Sequence, residues 1–349
     1  MKILKEIKKA LGHNLPFVAF RNPNETLVTL FVQQSVDLHL FDDFSLSGYV
    51  FAPFDDIETA YLLQPDIVFT DKMGEGINLK TQKISEVEII DAISKVKHIS
   101  LVENAIKTIK NTSISKVVIS RKEQVVLKDF DSVLAFEKLL YQYPNAYGYI
   151  WFHPAVGLWM GATPETLLKV KGDTFHTMAL AGTQSYKGTT DVTWGNKELE
   201  EQKMVADFIK INLQNSVDKL LLSDVETVKA GNLLHLKTTI TGTLKNVKDV
   251  KKIVELLHPT PAVCGLPKQE SKQYILKNED YHRSFYTGYL GEVNREGKTS
   301  LFVNLRCFTI ENNHIANLYI GGGITAESNP EYEWLETVAK SKVMKKILI

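Results

Sequence analysis

Four apolar or alternating segments follow one another at residues 147–153, 157–163, 166–171 and 174–183, separated by only a few turn residues. Gly172-Asp173 marks a tight hairpin between the last two. Connections this short permit antiparallel neighbours but not the crossovers that a parallel sheet needs. No other stretch of the chain limits the fold as much.

The flanking sequence adds strands and irregularly placed helices. Residues 26–32 and 114–121 are β-branched and mostly apolar, and residues 232–244 return to that character after a long helical pattern at 197–222. Helical spacing also fits residues 132–141 and 247–257, the latter stopped by His258-Pro259-Thr260-Pro261. Residues 301–310 and 314–320 read as two strands flanking a turn at 311–313, and a closing helix begins at Pro330. Strands that cluster, with helices between them at no fixed period, predict an α+β fold rather than a doubly wound sheet. No linker or repeat divides the 349 residues. Residues 1–95 read as short strands and loops without evident chemistry, part of the same compact unit as residues 96–349.

The chain carries 41 Lys+Arg against 41 Asp+Glu, which argues against a nucleic-acid binder because phosphate neutralisation needs a basic surplus. Cys264 and Cys307 lie in apolar stretches, which disfavours a disulfide framework and predicts a reducing compartment, the cytoplasm. Ile3, Leu4, Ile7 and Leu11 alternate with lysines at helical spacing, an amphipathic helix rather than a signal peptide. No stretch is long and apolar enough to suggest a membrane span.

Several charged residues sit in apolar surroundings. Glu333, Glu336 and Lys340 share one helix face, and that face continues as Val343, Met344 and Ile347. Glu201 likewise falls on one stripe with Met204, Val205 and Phe208. An inward carboxylate needs a partner. Two helices supplying carboxylates can share a hard cation such as Mg²⁺, or each can pair with a lysine or arginine. Arg306 lies in a run apolar on both alternations, so its guanidinium needs an anion, either a ligand carboxylate or a structural Asp or Glu. Gly321-Gly322-Gly323 is either a turn before the helix or a backbone concavity whose successive N–H groups bind an anion. Lys116, ahead of Val117-Val118-Ile119, is a candidate general base if buried and an ordinary edge lysine if not. Glu165, after Gly161-Ala162-Thr163-Pro164, is either a proton donor or a turn residue.

Six motifs in order carry a resemblance. They are Lys116-Val117-Val118-Ile119-Ser120-Arg121, Gly161-Ala162-Thr163-Pro164-Glu165, Ala179-Leu180-Ala181-Gly182-Thr183, His258-Pro259-Thr260-Pro261-Ala262-Val263, Ile320 to Ile324, and Glu333-Trp334-Leu335-Glu336-Thr337 with Lys340. The chain resembles the chorismate-utilising enzymes, which include isochorismate synthases, salicylate synthases, anthranilate synthase component I and aminodeoxychorismate synthases. That resemblance implies large antiparallel sheets packed as a sandwich with helices outside. It also implies Mg²⁺ held by Glu201, Glu333 and Glu336. Gly182, Thr183 and Lys340 would lie beside the ring carboxylate of chorismate, and His235 near the ring. Arg306, Tyr286 and the Gly322-Gly323 backbone would hold the enolpyruvyl carboxylate.

Two positions speak to the nucleophile. Lys116 is similar to the lysine of the water-activating members, where anthranilate synthases carry glutamine. Ala181 stands where aminodeoxychorismate synthases have a nucleophilic lysine. The resemblance therefore implies isochorismate formation, with neutral Lys116 deprotonating a water that adds to C2 while Glu165 protonates the departing C4 hydroxyl. Salicylate synthases share these residues and then eliminate pyruvate; they are the alternative. A silent chorismate-binding subunit is disfavoured because both the base and the acid position are filled. Menaquinone is favoured over a siderophore as the product's use, and a monomer is expected. Gln202 departs from the histidine common after the metal-binding glutamate, with an expected effect on Mg²⁺ affinity through that carboxylate's surroundings.

Overall fold

The computed structural model describes residues 1–74, 92–128, 130–312 and 314–348. Among them lie two antiparallel sheets. The first runs, from edge to edge, Gly265–Leu266, Lys116–Val126, Ile315–Ile324, Cys307–Glu311, Gly157–Thr163, Tyr147–His153, Phe17–Arg21, Leu27–Val32 and Ile67–Lys72. The second runs Val217–Leu222, Leu233–Leu244, Thr174–Ser185, Thr166–Lys171, Lys298–Val303, Tyr289–Arg295, Gly48–Ala52, Ala60–Leu63 and His39–Phe41. Glu226–Ala230 also pairs with Leu233–Leu244.

Aromatic side chains from both sheets meet between them. Tyr147 of the first stacks on Phe302 of the second with centroids 3.9 Å apart, and Phe51 of the second lies 4.6 Å from Trp151 of the first. Rings bury large apolar areas and fill the gap between sheets in offset stacks. Helices cover the outer faces. Ile3, Phe136 and Val343, each from a different helix, share a core with Phe17, Ile150 and Phe308 of the first sheet. Val205 and Ile209 of the helix Asn196–Leu213, with Ile253 of Val250–Leu257, pack on Leu168 and Ile240 of the second. This is the α+β sandwich that the strand pattern and the resemblance predict. No described helix is long and apolar enough to cross a membrane.

Three expectations change. The four-segment meander does not stay in one sheet: its first pair belongs to the first sheet and its second pair to the second, with Pro164-Glu165 as the crossing. The single strand expected at 301–310 is likewise two, Lys298–Val303 in the second sheet and Cys307–Glu311 in the first. Between them Arg306 adopts a left-handed φ of +49°. Both crossings lie within stretches that are apolar and buried almost without interruption, so no break in the local pattern marks the change of sheet. The long helix expected at 197–222 stops at Leu213, and Val217–Leu222 joins the second sheet beside Leu233–Leu244. Its pairing partner is distant in sequence, so local spacing could not reveal it. The turn expected at 311–313 does join two paired strands, but Asn313 lies outside the described residues, as do residues 75–91 of the N-terminal region.

Candidate active site

The two crossings run side by side. The Ala162 amide donates to the Arg306 carbonyl at 3.1 Å, and the Val303 amide donates to the Glu165 carbonyl at 3.0 Å. Buried Asn304 braces the bend: its Oδ1 accepts from the Tyr149 hydroxyl at 2.6 Å, and its Nδ2 donates to the Phe285 carbonyl at 2.9 Å. Where paired strands leave one sheet together for another, they open a space, and Glu165 and Arg306 both line it.

That space is a cavity of about 120 Å³. Every site residue named from the sequence lines it except Gly322 and Glu333. Lys116, at the start of its strand, is 2% exposed, so burial lowers its pKa; Glu201 and Glu165 work against that while Lys340 and Lys197 add to it. Glu165 is 3% exposed, and burial pushes its carboxyl up to about 8 despite the charges of Lys116 and Arg306. The alternatives of a snorkelling lysine and an ordinary turn carboxylate are thereby excluded.

Arg306 is held from one side. Its Nη1 donates to the Ala230 carbonyl at 3.0 Å, and its Nη2 stands 2.6 Å from His235 Nε2. His235 Nδ1 lies 2.8 Å from the Gly182 carbonyl. One arrangement satisfies both contacts: Nδ1–H donates to Gly182 and Nε2 accepts from Arg306, so the ring is neutral. Burial, with Arg306 adding to it, accordingly lowers the His235 pKa to about 3. Tyr286, buried, stacks on Tyr319 with centroids 5.4 Å apart.

The three glycines are not a turn before the helix. They lie within the strand Ile315–Ile324, opposite Ser120, Ile119 and Val118. Their lack of a side chain is what the site uses. A Cβ on Gly323 would stand 2.8 Å from Lys116 Cε and 3.3 Å from Glu201 Oε1, and one on Gly321 would stand 2.8 Å from the Tyr286 hydroxyl. Gly322 faces Glu333 and Glu336 instead, with the corresponding distances 3.6 and 3.7 Å.

The three glutamates gather around this strand, but lysines lie among them. Lys197 Nζ is 2.5 Å from Glu333 and 4.0 Å from Glu201, and Lys340 Nζ is 2.7 Å from Glu336 and 2.9 Å from the Gly321 carbonyl. Burial raises the Glu333 pKa. It acts the same way on Glu336, where Lys340, Lys197 and Lys116 outweigh it and hold the carboxyl low. Among the described residues no three His, Cys, Asp or Glu side chains are close enough to hold a metal ion. Donor chemistry nevertheless fits a hard cation: all three are carboxylates, and the ammonium of Lys197 marks a space between two of them that takes positive charge. Sequence reasoning missed Lys197, although its i,i+4 spacing to Glu201 was the signal. Gln202, buried beside Glu201 in sequence, donates from Nε2 to Thr238 Oγ1 at 2.7 Å.

Comparison with known proteins agrees with this geometry. The model of the family described as chorismate binding enzyme matches residues 67–349. Isochorismate synthase EntC of Escherichia coli is 31% identical over 244 residues, which cover 66% of this chain and 61% of EntC. Isochorismate synthase MenF of Haemophilus influenzae is 30% identical over 69% of this chain and 57% of its own length. Each match thus spans less than two thirds of the relative. Among solved structures, the menaquinone-specific isochorismate synthase MenF of Escherichia coli superposes with a TM-score of 0.78 at 20% identity, covering 96% of this chain and 89% of that one. These similarities and the sandwich that carries them place the chain in the chorismate binding enzyme family.

Proposed function

We propose that the protein converts chorismate to isochorismate with water as the nucleophile. One observation carries this reading: Lys116 and Glu165 are both buried in one cavity, with pKa displacements that favour a neutral amine and a protonated acid. Such a pair suits a reaction in which one group removes a proton while the other supplies one. Lys116 takes a proton from water as its oxygen bonds to C2. The ring double bond shifts, the C4–O bond breaks, and Glu165 delivers its proton to the departing hydroxyl, which leaves as water. Isomerisation is balanced, since one water enters and one leaves.

The remaining residues bind and orient. Arg306, fixed by His235, and Tyr286 with the Gly322-Gly323 backbone hold the enolpyruvyl carboxylate; Gly182, Thr183 and Lys340 lie beside the ring carboxylate. Glu201, Glu333 and Glu336 would hold Mg²⁺, whose charge neutralises the ring carboxylate and fixes the ring. Relatives named as isochorismate synthases support this assignment.

Incubating the protein with chorismate and Mg²⁺, with and without ammonium, tests it. Isochorismate without pyruvate is the expected product in both arms; salicylate with pyruvate, or anthranilate in the ammonium arm, would overturn the reading. The same proposal takes the protein as a cytoplasmic monomer whose product feeds menaquinone, and it predicts that the gene restores menaquinone to a host lacking isochorismate synthase.

Gly323→Ala provides a further check. Its new Cβ would meet the flexible end of Lys116 rather than backbone, so the fold should persist while the amine shifts. Misplacement of a catalytic group by about 1 Å costs on the order of 10²-fold, so kcat should fall by about that factor with an unchanged melting temperature.

A further inference from the structure

A second cavity, of about 540 Å³, adjoins the first and shares Pro164, Leu180 and Arg306 with it. Lys169 and His176 stand opposite each other on neighbouring strands, and Lys237 lies on the next strand across, opposite Leu180. Lys169, Lys229, Lys237 and Arg306 make its lining basic, and among the described residues no aspartate or glutamate lines it. Near its walls, Lys237 is paired with Glu226 at 2.8 Å, and Lys229 lies over the Tyr186 ring. Lys169 Nζ lies over the Phe302 ring, 5.2 Å from its centroid, and His176 Nδ1 is buried without a hydrogen-bond partner. Like charges gathered around one concavity raise its potential and draw in small anions. In a chain with 41 basic and 41 acidic residues, such a field must be local.

We propose that this basic cavity is the route by which the substrate dianion enters, with Lys169 and Lys237 steering it to Arg306. The inference rests on the proposed function, since it takes chorismate as the dianion. An anion drawn in past Lys169 and Lys237 arrives at the guanidinium that ends the route, with the reacting groups beyond it. Lys169 and Lys237 are positioning residues: they act on the approach of substrate and touch none of the reacting atoms.

The test is the stopped-flow association rate of chorismate, read by tryptophan fluorescence at low and high ionic strength, beside kcat for the same proteins. For Lys169→Glu/Lys237→Glu, association at low salt should slow by about tenfold or more, and the salt dependence of the wild type should disappear or reverse. Dissociation should change little and kcat should stay within about twofold, because charges on an approach path act on encounter more than on chemistry. Lys169→Gln/Lys237→Gln, which avoids opposing Glu226 with a new carboxylate, should show a smaller loss in the same direction. Lys248→Gln, an exposed lysine outside both cavities, should match the wild type. Wild-type association rates and salt dependence in both double variants would overturn the route while leaving the proposed function standing. A wild-type protein that neither binds nor converts chorismate would refute both.

Discussion

Lys116→Met is expected to lower kcat for isochorismate formation by about 10³- to 10⁴-fold while the protein folds normally. Methionine keeps the length and apolar stem of the side chain, so its packing over Gly323 is preserved, and only the amine is lost. The lysine is almost completely buried, and burial is the largest influence on its pKa, which lies below the ordinary lysine value. A buried amine of this kind can be neutral when the enzyme works, as a general base must be. Quantifying product against time, with circular dichroism and thermal melting on the same sample, checks the prediction. Near-normal turnover with an intact fold would remove Lys116 from the mechanism.

Glu165→Gln is expected to cost about 10²- to 10⁴-fold in kcat and to change the pH profile. In the wild type the carboxyl, raised to about 8 by burial, is protonated at neutral pH and loses its proton as pH rises through about 8. Activity should therefore decline on the alkaline side there. On the acid side it should decline as Lys116 gains a proton below its lowered pKa, giving a bell. Glutamine cannot titrate, so the residual activity of the variant should lack the alkaline limb. Retention of that limb in Glu165→Gln would assign it to another group. The backbone contact that this residue makes across the crossing, its carbonyl accepting from Val303, is unaffected by the substitution.

Much of the site was legible because inward charges disturb local patterns. The stripe of Glu333, Glu336 and Lys340 running into Val343 and Met344, and Glu201 on the stripe of Val205 and Phe208, required only the helical period, and both stripes face inward as expected. Lys116 and Glu165 showed only that they adjoined apolar runs; whether they were buried depended on neighbours distant in sequence. Lys197 escaped notice because a lysine one turn before a glutamate is common on exposed helices.

By itself the sequence determined the alternation of each strand, the apolar stripes of the helices and the identity of the charged residues that those patterns could not accommodate. Tertiary structure alone decided where strands 157–171 and 298–311 pass from one sheet to the other, and so that Glu165 and Arg306 face one cavity. The reason is physical. Apolar patterning depends on a residue's nearest neighbours, and the buried runs on either side of each crossing carry no break that marks it. Which sheet a strand joins depends on hydrogen-bond partners and aromatic packing contributed by chain segments more than a hundred residues away, as with Tyr147 on Phe302.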